Sequence, residues 1–128
     1  MAAMSTYLAN KLLDHTLKNT SYSPPATVYI GLYTSNPDND NSGTEVSGNN
    51  YSRTAMAFSS ASAKATSNSA AVVSAVASGS WGTVTHFGIL DASTSGNLLY
   101  YGAFTASKTI TSGEAAYFAA GEIDIAIT

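Results

Sequence analysis

Two histidines, eight acids and a single arginine are the side chains of this chain that could carry acid–base or metal chemistry. Their spacing argues against both. His15 follows Asp14 directly, and adjacent helical side chains point about 100° apart, so the two cannot form an Asp–His dyad. His86 lies in Thr83-Val84-Thr85-His86-Phe87-Gly88, which reads as a strand, and one strand supplies no further metal ligands. Glu114, Glu122 and Asp124 read as a solvated strand end, with no pair placed across a cleft as glycoside hydrolysis requires. No HExxH, GxSxG, Walker or GxGxxG motif occurs. With no cysteine, thiol nucleophiles, thiolate metal sites and disulfides are excluded.

The segment Asp38-Asn39-Asp40-Asn41-Ser42-Gly43 matches the first half of a calcium loop, with oxygen side chains at positions 1, 3 and 5 and glycine at 6. Position 12 is Asn49, and no flanking helices are present. A solvated turn rich in turn-forming residues is the simpler reading. No metal or other cofactor is therefore expected. Arg53 offers different chemistry. It and Glu45 flank the turn that ends at Gly48, and a guanidinium fork fits a carboxylate. The expectation is that Arg53 closes on Glu45 and pins that loop to the next strand.

The elements that position these groups follow from periodicity. Residues 5–18 form one amphipathic helix capped by Ser5 or Thr6. Leu8, Ala9, Leu12, Leu13, Thr16 and Leu17 share one half of its surface, which either the rest of the domain, as the first expectation, or a neighbouring subunit must cover. Pro24-Pro25 ends any helix. Residues 26–34 then alternate, with Ala26, Val28, Ile30 and Leu32 on one face and Thr27, Tyr29 and Tyr33 on the other. Further strands are predicted at 51–58, 70–77, 82–90, 98–104, from 115 and around Ile123, Ile125 and Ile127. The Ser/Ala run at 59–69 reads as a loop. One helix followed by short strands and turns predicts a mostly β fold: an antiparallel β-sandwich or jelly-roll-like domain. The expected division is an N-terminal helical arm, residues 1–22, and a sandwich domain, 23–128.

Composition narrows the function. Charged residues make up 10% against an average near 25%, while Ser, Thr and Asn number 19, 15 and 9. Such a surface steers weakly at long range and suits assembly with neutral partners. Five scattered cations and a net charge of −3 provide no phosphate-tracking stripe, so nucleic acid is excluded. No segment reads as a membrane span or a signal peptide. Synthesis in the cytoplasm is expected.

The pattern Tyr29-Ile30-Gly31-Leu32-Tyr33-Thr34-Ser35-Asn36-Pro37, then Gly43-Thr44-Glu45-Val46-Ser47-Gly48, Tyr51 and Arg53, resembles a family of small tailed-bacteriophage proteins. Its members are named variously as tail fibre proteins and as capsid decoration or cement proteins. The helix with Leu8, Asn10, Leu12, Leu13 and Asp14 fits the pattern, as does Thr85-His86-Phe87-Gly88-Ile89-Leu90-Asp91. The resemblance implies a virion component with a β-sandwich body, displayed in several copies and without catalytic residues. A compact domain with one amphipathic helix favours a capsid decoration protein that binds and stabilises the assembled shell. Its expected partners are the major capsid protein and copies of itself, with a trimer as the first expectation. The contact residues expected are Leu8, Leu12, Leu13, Leu17, Tyr33, Asn36, Pro37, Glu45, Tyr51 and Arg53. The alternative is a tail fibre module that touches host-surface glycan through outward Tyr or Trp.

Overall fold

The computed structural model describes residues 2–127. Its centre is a five-stranded antiparallel sheet in the order β1-β7-β6-β2-β3. The strands are β1 (Ala2–Met4), β2 (Val28–Tyr33), β3 (Thr54–Met56), β6 (Gly82–Leu90) and β7 (Leu98–Ile110). Two ribbons complete the strands: β4 (Ala65–Ser67) with β9 (Asp124–Ala126), and β5 (Val72–Val73) with β8 (Tyr117–Phe118). One helix, α1 (Thr6–Leu17), lies between β1 and β2. The chain is therefore mostly β and antiparallel, with a single N-terminal helix.

Register decides which side chains share a face. Ile30 lies opposite Ile89, which lies opposite Tyr100, and Leu32 faces Phe87. These residues join Val72, Phe118, Ile123 and Ile125 of the ribbon segments in one hydrophobic core. Phe104 stacks on Phe118 at 5.4 Å and leans on Phe87 at 5.5 Å, which ties the layers together through aromatic rings. The opposite face carries Gly31 across from Gly88 and Tyr33 across from His86. A Cβ at Gly88 would stand 2.7 Å from Leu98 Cδ1 and 2.9 Å from Tyr33 Cε1. The strand glycines thus make the trough that holds the Tyr33 ring.

The strong β-branched run at 82–90 forms as expected, and β2 keeps the predicted alternation. Other elements differ. The strand expected at 51–58 shrinks to β3, because Tyr51 and Arg53 turn toward Glu45. The run at 59–69 holds β4, paired with β9 through Thr66 and Ile125. A tight turn at Ala63 and Lys64, with φ of 52° and 67°, leads into β4 and is closed by the Ser62–Ala65 bridge. At 70–77 only Val72–Val73 is strand. The β7 strand runs past residue 104 to Ile110 across an irregularity in which residues 104–107 stand opposite Thr85 alone. Residues 2–4 were not expected to be a strand, yet β1 forms the sheet edge beside β7.

Buried Asn68 also escaped the reading of the Ser/Ala run. Its amide donates to the carbonyls of Ala70 and Ala119, each at 2.9 Å, and its Oδ1 accepts from Ile123 N at 2.9 Å. It fastens the two ribbon segments to each other. Among the described residues no buried side-chain polar atom lacks a partner.

Candidate functional site

The polar centre of the molecule grows from the end of β2. Past Ile30 that strand has outrun β3, so its outer edge needs new partners. Residues 44–46 supply some: Thr34 N donates to Thr44 O and Val46 N to Leu32 O, both at 2.9 Å. The Tyr51 hydroxyl supplies another, accepting from Leu32 N at 2.9 Å and donating to Glu45 Oε2 at 2.6 Å. Arg53 closes the arrangement as the sequence predicts. Its Nε and Nη2 each meet a different Glu45 oxygen at 2.9 Å. Its Nη1 donates to the carbonyls of Ala92 and Ser95, at 2.9 and 2.7 Å, in the β6–β7 connection. One side chain therefore joins three segments.

Electrostatics follow from this closure. The Arg53 side chain is 9% exposed and that of Glu45 22%. Hydrogen bonding to Glu45 drives the guanidinium further toward its charged form, against the cost of burial. Burial pushes the Tyr33 phenol up to about 12, and the nearby Glu45 charge adds to the rise. Burial raises Tyr51 as well, and so does its hydrogen bond to Glu45. Neutral phenols, a carboxylate and a guanidinium that each already hold partners make a clamp. They leave no free base or nucleophile at the centre.

The remaining candidate groups cap turns. Asp38 Oδ1 accepts from Asn39 N, Asp40 Oδ1 from Ser42 N and Asn41 Oδ1 from the Tyr33 hydroxyl. These oxygens of the calcium-like loop thus meet its own backbone and Tyr33. Asp91 accepts from Asn97 N, Glu114 from Thr111 N and Glu122 from Ala119 N. The Thr111 bonds hold Glu114 below the usual carboxylate range. His15 Nδ1 accepts from Tyr22 N at 3.3 Å, and His86 Nδ1 lies 2.8 Å from Thr85 Oγ1. No group of three metal-ligating side chains forms among the described residues.

The expected contact residues divide by burial. Leu8, Tyr33 and Pro37 are covered by their own chain. Tyr51, Arg53 and Glu45 are half-buried and turned inward on one another. Asn36 is exposed, but its Oδ1 accepts from Asp38 N. Of the two covers expected for the apolar half of α1, the domain supplies only part. Ser5 caps the helix by accepting from Leu8 N and bonds back to Leu98 O of β7, so the N-terminal end of the helix is fastened to the sheet. Leu12 is half-buried, while Leu13 and Leu17 are 56% and 80% exposed. Trp81 is buried, with its indole N–H on Asn49 O at 2.9 Å, and so does not face outward. Tyr117 does, beside Val73, its direct partner across the ribbon.

Fold and site together define a β-rich structural module, pinned at its centre and uncovered along a helix. The family profile described as podophage GP4 fiber I protein gp80 matches residues 3–126. The chain belongs to this family and is a fibre-type structural protein of a tailed-phage virion. No curated protein matches it. Among the described residues no helix is long and apolar enough to cross a membrane.

Proposed function

We propose that this chain is a non-enzymatic component of the virion's fibre apparatus that acts by docking several copies onto neighbouring phage proteins. The match to a fibre family across residues 3–126 carries this reading. The clamp supports it, because a loop fastened through Arg53 keeps a fixed shape for a partner to fit. A charge-poor exterior and the uncovered Leu13 and Leu17 suit contact with neutral protein surfaces. A protein that binds only the assembled particle stabilises it by mass action. Within a tail, the exposed Tyr117 ring offers a stacking platform for host-surface glycan.

A capsid decoration protein bound to the major capsid protein is the second reading. The exposed leucine stripe of α1 favours it, since such a helix can clamp adjacent shell subunits. Electron cryo-microscopy of the intact particle tests both. Density for this fold on the tail is the expected result, and density on the shell would support decoration instead. Its absence from purified particles would overturn both readings.

A further inference from the structure

Leu13 and Leu17 stand one helical turn apart on α1, and both are more than half exposed. At about 100° per residue Leu17 points directly away from buried Leu8, so this stripe faces outward. Lys11 and Lys18 share one flank of it with Asp14, which leaves that flank net basic. Asp38 and Asp40 belong to the N-terminal end of the helix, where Asn39 O accepts from Thr6 N. The β5–β8 ribbon carries a second exposed apolar face. Val73 and Tyr117 oppose each other across it, 55% and 56% exposed, and Val76 is exposed as well. Residues 70–77 and 115–119 hold no charged side chain. Acids bracket β8 instead. Glu114 precedes it, and Glu122 follows it and accepts from Ala119 N. Neither forms an ion pair among the described residues. Lys108 lies over the ring of buried Phe118, on the core side of the ribbon. Residues 108–124 thus set that one base against three acids, Glu114, Glu122 and Asp124.

We propose that copies of this chain join head to tail: the Leu13–Leu17 stripe of one copy packs on the Val73–Tyr117 face of the next, and Lys11 and Lys18 turn to Glu114 and Glu122. A helix laid by its apolar stripe on an apolar sheet face is how these two kinds of element bury each other within a domain. The dimensions agree. The leucines are about 6 Å apart along the helix axis, and opposite side chains of a ribbon about 5 Å apart. Charge chooses the occupant. Two ribbons face to face would oppose acids, and two helices side by side would crowd lysines. Helix on ribbon sets a net basic flank against a net acidic one. The contact is heterologous, so repetition closes a ring or extends a row whose last copy keeps Tyr117 free. The apolar patches are small beside a standard interface of roughly 1,600 Å². Two free copies therefore pair weakly, and copies held together pair more firmly. The proposal does not depend on whether the chain sits on head or tail.

The chain has no cysteine, which allows a clean test. Leu17→Cys and Val73→Cys each replace an exposed residue. Under mild oxidation a mixture of the two variants should give at least about ten-fold more disulfide-linked dimer than either variant alone, as a heterologous contact requires. Equal linking within each variant alone, or none in the mixture, would overturn the proposal. Sedimentation over a concentration series reaching about 1 mM supplies an independent arm that reads charge. Lys11→Glu with Lys18→Glu, or Glu114→Lys with Glu122→Lys, should weaken association about ten-fold, and all four together should restore it. Association that ignores both reversals, or a monomer at every concentration, would equally overturn it.

Discussion

Arg53 holds Glu45 with two nitrogens and two loop carbonyls with the third, so its loss strands several partners at once. Breaking a partly buried, fully bonded pair costs about 2–3 kcal/mol, between surface and buried cases. Lysine cannot replace the fork. Arg53→Lys and Glu45→Gln should each destabilise by roughly that amount, with a coupling of about 1–2 kcal/mol in a double-mutant cycle followed by urea unfolding. Purely additive effects would sink the clamp. The Arg53–Glu45 pair was legible because one arginine and one acid flank a glycine-bounded turn. The Ala92 and Ser95 carbonyls were not, since every residue carries a carbonyl and only the fold selects two of them. The two phenols add a pH dependence. Free tyrosine titrates near 10, whereas Tyr33 is held at about 12 and Tyr51 is also raised. Above pH ~10 the unfolded chain loses these protons first, so stability falls as pH rises toward Tyr33's folded value. Below pH ~10 both states keep them and this contribution is constant. Urea unfolding from pH ~8 to ~11.5 should show a loss of up to about 1.4 kcal/mol per pH unit for each such tyrosine. Tyr51→Phe should flatten the slope.

At the scale of elements, α1 shows how a helix can be legible while its covering is not. Ser5 and the leucine period mark its start and its apolar side, and the observed helix obeys both. What periodicity cannot say is how far the helix stays on the sheet, because that depends on where β7 begins beneath it. Leu8 is buried while Leu13 and Leu17 are exposed, so the energetic weight of the leucines should be uneven. Leu8→Ala should cost about 2–4 kcal/mol, and Leu13→Ala or Leu17→Ala less than about 0.5 kcal/mol. Thermal or urea unfolding of the three variants checks this, and equal losses would show that the domain covers the whole face. Strand glycines make a similar point. Gly88→Ala should cost about 1–3 kcal/mol by driving a methyl group against Leu98 and the Tyr33 ring. The short strands were the hardest elements to read. Ala65–Ser67 has almost no β preference of its own, and its pairing with Asp124–Ala126 comes from far along the chain.

For the whole molecule, the decisive feature is that distant segments complete the same layers. Residues 2–4 close one edge of the main sheet, and residues 124–126 close a ribbon over its core face. The helix is fastened to β7 through Ser5, and Trp81 lies in the core that the ribbon covers. The expected division into a helical arm, residues 1–22, and a separate body can therefore be tested in one experiment. If residues 2–12 belong to the body, the helical circular-dichroism signal and Trp81 fluorescence will be lost together on heating, in a single transition whose calorimetric and van't Hoff enthalpies agree. Ile125→Asp, which places an unpaired charge under the ribbon, should lower both midpoints by the same amount. An independent arm would behave otherwise. Its helical signal would fade first, and Ile125→Asp would move only the fluorescence transition. The outer turn around Leu17 is the exception to expect: few contacts hold it to the domain, so its amides should exchange well before those of β6.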